Sequence, residues 1–145
     1  VGGGEPAGAS GGGMTEREVE RDCDRLVASM GGDVIRTNPP GPTRQHIGLP
    51  DRRYRLKGRA FFVELKAPSG KITAEQLAFL RAELDCGCLA LCGGVDEVAA
   101  MVRRIVSGTQ DAALQGWCRE VVEAWAAKGL RRSTQPAAAT ARGRV

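Results

Sequence analysis

Apolar residues keep two different rhythms along this chain, one helical and one strand-like, between Thr15 and about Lys128. Val19, Cys23, Leu26, Val27 and Met30 recur at three- and four-residue steps, which predicts a helix over Thr15–Met30 with those side chains facing inward. Thr15 followed by Glu18 makes a capping box at its start, and Gly31-Gly32 ends it. Val34–Thr37 then has strand character. Asn38-Pro39-Pro40-Gly41-Pro42 breaks regular structure, because proline fixes φ and carries no N–H. The resulting loop runs through His46 to Pro50, a length that favours a functional role over simple connection.

Two strands follow, a short polar one over Arg52–Leu56 and an almost continuously apolar one over Ala60–Leu65, joined by a turn at Lys57-Gly58-Arg59. The apolar strand should lie centrally in a sheet. Thr73 with Gln76 forms a second capping box, opening a helix that buries Leu77, Leu80 and Leu84. Gly87–Cys92 reads as another apolar strand, Val95–Val106 as a helix, and Thr109–Lys128 as a final helix stopped by Gly129. The order α-β-β-β-α-β followed by helices predicts an α/β domain with a small mixed sheet, in which the helix after Lys66 leads to a parallel strand. The final helix carries a stripe of Leu114, Trp117, Val121 and Trp125, suited to packing internally or against a second copy of the chain. The spacing of the tryptophans suits these roles better than a base-stacking platform.

The ends differ from this body. Residues 1–13 contain seven glycines and no periodicity, and residues 131–145 are a basic tail; both are expected to be disordered, leaving 14–130 as one folded domain. Met14 stands directly before the first helix and is a candidate start of the biological chain. The net charge of +4 belongs mainly to the tail. Arg131, Arg132, Arg142 and Arg144 carry four positive charges and Glu5 one negative, so residues 14–130 hold only about +1. Charge alone therefore does not decide for nucleic acid. No apolar run has the roughly 20 residues that a membrane span needs, and the start lacks a secretory signal, so a cytoplasmic location is expected. The cysteines Cys23, Cys86, Cys88, Cys92 and Cys118 are odd in number, which argues against a disulfide framework. Cys86 and Cys88 flank an apolar strand and read as small buried hydrophobes rather than zinc ligands.

Chemistry concentrates between Pro50 and Lys66. Residues i and i+2 of a strand share a face ~7 Å apart, so Glu64 and Lys66 project together while Val63 and Leu65 face the other way. An ion pair at a strand end would explain that pair by itself. Asp51, however, enters the neighbouring strand behind a proline and lands beside Glu64 if the strands form a hairpin. Two carboxylates beside an ammonium suit phosphodiester hydrolysis: Asp51 and Glu64 offer hard oxygen ligands for Mg²⁺ or Mn²⁺, and Lys66 can orient water or offset charge on the phosphate.

The run Gly48-Leu49-Pro50-Asp51, the Gly58-Arg59 turn, Phe62-Val63-Glu64-Leu65-Lys66-Ala67-Pro68 and Thr73-Ala74-Glu75-Gln76 resemble, in order and spacing, the signature of the VRR-NUC branch of the PD-(D/E)XK nuclease superfamily. The resemblance covers roughly residues 15–98 and implies a restriction-endonuclease-like fold, divalent-metal cleavage of DNA and kinship with stand-alone nucleases of phage genomes. It implies Asp51 and Glu64 as metal ligands, Lys66 as the catalytic lysine, and a glutamate of the first helix as a further ligand. Glu16 and Glu20 share a helix face and both qualify, whereas Glu18 is engaged in the cap. Gln76 matches the pattern too, although a capping role alone accounts for it. The chain departs from the family at Arg52-Arg53-Tyr54-Arg55, where apolar residues usually follow Pro-Asp. Arg53 and Arg55 share the face of Asp51 and either contact phosphates or guard an exposed edge strand. Arg36, Asn38, Arg44, Gln45 and His46 lie on the approach to Asp51 and are further DNA-contact candidates.

The sequence thus predicts a DNA-hydrolysing metalloenzyme, with a bias for particular DNA structures left open, acting in the cytoplasm, or in a host cytoplasm for a phage-encoded chain. The alternative is a non-catalytic DNA-binding or assembly module on the same fold.

Overall fold

The computed structural model describes residues 13–37 and 48–132. Their elements are α1 (Glu16–Ser29), β1 (Asp33–Arg36), β2 (Arg52–Leu56), β3 (Arg59–Leu65), α2 (Ala74–Asp85), β4 (Leu89–Gly93), α3 (Val95–Val106) and α4 (Asp111–Ala127). The chain therefore has the α-β-β-β-α-β core expected of a restriction-endonuclease-like fold, extended by two helices. The sheet has the order β1-β2-β3-β4, with β1, β2 and β3 antiparallel and β4 parallel to β3 across the α2 connection.

Both capping boxes form. Thr15 and Glu18 close the first turn of α1 through bonds of 2.9 and 3.2 Å, and Thr73 and Gln76 do the same for α2 at 2.9 and 3.1 Å. Each satisfies two N–H groups that a helix start otherwise leaves unpaired. The β2–β3 turn takes two residues rather than three. Lys57 and Gly58 both have positive φ, 51° and 80°, and Arg59 already pairs with Leu56. That is the backbone a two-residue hairpin requires, and it sets the register that runs back to Asp51.

The sheet is sandwiched. On one face Tyr54, Leu56, Phe61, Val63 and Leu65 meet Val19, Cys23 and Val27 of α1 in the buried core. On the other, Phe62 packs edge-to-face on Phe79 of α2, with ring centroids 5.3 Å apart. Each buried leucine or phenylalanine contributes roughly 1.5–3 kcal/mol of transfer free energy, so this two-sided packing holds β3 firmly in place. Helix α4 lies along β4, with Cys118 against Met101 of α3 and ion pairs Arg81–Glu123 and Arg119–Asp85 tying it to α2. Of its apolar stripe, Leu114 and Trp125 are buried, and Trp117 and Val121 are half-buried against the core.

Several expectations are corrected. Strand β2 is not an edge strand, because β1 pairs along its outer side and leaves Arg53 and Arg55 exposed on a sheet face. Met30 is the C-cap of α1 and 40% exposed, since the helix ends before that position turns inward. Cys86 and Cys88 are exposed, because β4 begins at Leu89, two residues later than the apolar run suggested. Among the described residues no helix is long and apolar enough to cross a membrane.

Candidate active site

The site forms where β2 enters the sheet and β3 leaves it. Residues Arg52 and Val63 are register partners, so one step outward the antiparallel register sets Asp51 opposite Glu64. Gly48, with φ +84°, packs so closely on α2 that a Cβ would stand 2.6 Å from the Glu75 carbonyl oxygen. Only glycine combines that φ with that approach, and buried Pro50 then delivers Asp51. The Asp51 carbonyl accepts from the Thr37 N–H at 3.2 Å and from Arg52 Nη1 at 3.2 Å, and Thr37 Oγ1 bonds the Pro50 carbonyl. The Asp51 side chain reaches across to β3, where Oδ2 accepts the Leu65 N–H at 3.1 Å.

Glu64 and Lys66 are 2% and 3% exposed, and Lys66 Nζ lies 3.2 Å from Glu64 Oε2. The same oxygen accepts from Gln76 Nε2 at 2.9 Å. Gln76 is thereby engaged at both ends of its amide: its Oε1 caps α2 through Thr73 while its nitrogen donates to Glu64. The other Glu64 oxygen, Oε1, is buried with no hydrogen-bond partner among the described residues. A buried carboxylate oxygen normally has one, so this atom calls for a cation or polar ligand.

Above this buried pair stand three more carboxylates. Glu16 and Glu20, one turn apart on α1, and Asp51 offer oxygens that lie within 4.8 Å of one another. Glu16 is exposed, Glu20 and Asp51 half-buried, so the trio faces outward with the Glu64–Lys66 pair beneath it. Such crowding raises proton affinity. Burial, and then the Glu16 charge, push Asp51 up to about 6, against the pull of the Leu65 N–H. Burial, and then Asp51, push Glu64 up to about 8, with Lys66 pulling the other way. Oxygen donors only, converging and mutually repelling, match the needs of a hard divalent cation such as Mg²⁺ or Mn²⁺. The fit rests on this donor set and on the orphaned Glu64 oxygen.

Of the outer candidates, Arg36 is exposed at the end of β1, beside Arg52 in the register. Arg53 stacks on the Phe62 ring at 5.4 Å, and Arg55 pairs with Asp33 at 3.3 Å. Asn38, Arg44, Gln45 and His46 lie outside the described residues. The strand that departs from the family pattern is undistorted, and its departure has a use that sequence reading missed. Arg52 is buried and bonds Asp24, Glu20 and the Asp51 carbonyl, while Tyr54 Oη donates to Asp24 at 2.7 Å. A signal for it existed, since Glu16, Glu20 and Asp24 form one row of acids at four-residue spacing.

No family model matches the sequence, and no curated protein matches it. Among solved structures, a chain described as "VRR_NUC domain" aligns over 67% of this chain and 100% of its own length, with a TM-score of 0.49 and 20% sequence identity.

Proposed function

We propose that this chain is a VRR-NUC-type, Mg²⁺- or Mn²⁺-dependent deoxyribonuclease, its nuclease unit spanning residues 14–130. The observation that carries the reading is the convergence of Glu16, Glu20 and Asp51 over a buried Glu64–Lys66 pair. Glu16, Glu20, Asp51 and the free oxygen of Glu64 are the residues that would hold the ion. When bound, the ion supplies Lewis-acid polarisation of the scissile phosphate and relieves the repulsion among the carboxylates. Lys66 offsets negative charge that grows on the phosphate, or orients the attacking water; as a compact ammonium anchored on Glu64 it reaches its position at little entropic cost. Gln76 fixes Glu64 so that Oε2 faces Lys66 and Oε1 stays free. Arg36, Arg53 and Arg55, with Asn38, Arg44 and His46, are the proposed contacts to the DNA backbone.

The test is incubation of purified protein with linear, nicked, flapped and four-way DNA, with and without Mn²⁺. Cleavage should require the ion. Asp51→Asn and Glu64→Gln should nearly abolish it while DNA binding survives. Failure to cut any of these substrates with any divalent ion would favour the non-catalytic binding module instead.

A further inference from the structure

Arg52 is charged, 4% exposed, and bonded to more than one acid. A buried guanidinium is tolerated only when its donors are satisfied, and a bidentate carboxylate suffices to neutralise it. Asp24 supplies that carboxylate, with Nε to Oδ1 at 3.0 Å and Nη2 to Oδ2 at 3.2 Å. The remaining donors are not directed at random. Nη2 also reaches Glu20 Oε1 at 3.4 Å, and Nη1 reaches the Asp51 carbonyl at 3.2 Å. Glu20 and Asp51 are two of the three carboxylate residues that converge at the candidate site. One belongs to α1 and the other to the entry of β2, so their separation depends on how that helix sits against that strand.

We infer that Arg52, anchored by Asp24, is a positioning residue that sets the spacing of Glu20 and Asp51 for a divalent cation. The inference rests on the proposed metal site and adds a residue that the motif does not include. The acid row of α1 divides its labour accordingly. Glu16 and Glu20 face the cation, and Asp24, one turn further on, holds the arginine. Asp24 also keeps the guanidinium from turning fully onto Glu20, where it would compete with the cation for the carboxylate. Tyr54 fixes Asp24 from the sheet side.

The test is Mn²⁺ titration of the full chain by calorimetry, with the melting temperature of every variant recorded. Arg52→Lys keeps the charge but loses the fork, and should weaken Mn²⁺ binding by roughly 10- to 100-fold, the scale of losing a group that orients a metal ligand. Leu114→Ala, in the core at the N-terminal end of α4, the end away from Trp125 and Lys66, controls for lost stability and should leave Mn²⁺ affinity unchanged. In a Glu20→Gln background the further loss from Arg52→Lys should shrink, because part of its action passes through Glu20. Should Arg52→Lys fail to fold, Asp24→Asn serves in its place and should also weaken binding. Wild-type affinity in the substituted Arg52 or Asp24 protein, with wild-type protein binding Mn²⁺ normally, overturns the positioning role alone. A wild-type protein that binds no Mn²⁺ overturns the metal site and this inference with it.

Discussion

Protons and a divalent cation should compete for the same carboxylates, and the competition has a countable stoichiometry. In the unfolded chain Asp51 and Glu64 ionise near their ordinary values of 3.8 and 4.5; in the folded chain they hold protons up to about 6 and about 8. At pH 7, between these two values, the metal-free fold therefore keeps Glu64 mostly protonated and Asp51 mostly ionised. Ligation needs both deprotonated, so binding Mg²⁺ or Mn²⁺ at pH 7 should release about one proton, and at pH 5 about two. Calorimetry in buffers of different ionisation enthalpy reads that number directly. The same groups fix the sign of the stability profile. Both folded pKa values are raised, so the fold binds more protons than the unfolded chain between about pH 4 and pH 8. Their contribution to stability is complete below about pH 4 and is lost as pH rises through 6 and then 8. With about one proton at stake near pH 7, the slope is on the order of 1 kcal/mol per pH unit, or a few degrees in melting temperature. Saturating Mn²⁺ should flatten or reverse it. A metal-free protein whose melting temperature is level or rises from pH 5 to 8, or metal binding whose heat ignores the buffer, would refute the electrostatic account of the site.

Three further outcomes are expected. Lys66→Ala should slow cleavage by roughly 10²- to 10³-fold with metal affinity little changed, as for loss of one transition-state donor, and Lys66→Arg should restore only part of the rate; single-turnover assays separate the two effects. Gln76→Ala should cost about 1 kcal/mol through the lost cap and also lower cleavage, because Glu64 loses its anchor; urea melts and rate measurements on one preparation test both. Removing residues 133–145, with Arg142 and Arg144, should reduce the salt dependence of DNA affinity by an amount equivalent to about two phosphate contacts while leaving the cleavage rate at saturation unchanged, as filter binding across salt concentrations would show.

Much of this architecture was legible because local signals and tertiary needs agree. Thr15 with Glu18, and Thr73 with Gln76, start helices in any context, and a run such as Phe61–Leu65 has few places to go except the middle of a sheet. The Asp51–Glu64 approach was legible for the same reason: a two-residue turn at Lys57-Gly58 fixes a register, and the register decides what stands opposite Asp51. Strand ends and helix ends were harder. Cys88 and Met30 continue an apolar pattern past the point where the backbone leaves the element, and pattern alone cannot mark that point.

Arg52 was hidden for a deeper reason. In sequence it is one of three arginines around Tyr54, and alternation alone cannot say which face of β2 meets the core. Reading Arg53 and Arg55 as the outward pair forces Arg52 inward with Tyr54 and Leu56, where an unpartnered charge would be prohibitive. The partner had to come from a segment 28 residues away, on the helix already suspected of supplying glutamates. A buried arginine in strand β2 and a third acid in the row of α1 are thus complementary irregularities, each costly alone and stable together. The family-type motif names the groups that would act on a phosphate. The departure from it, at the residue directly after Asp51, ties the acid row of α1 to the entry of β2 through Asp24, Glu20 and the Asp51 carbonyl.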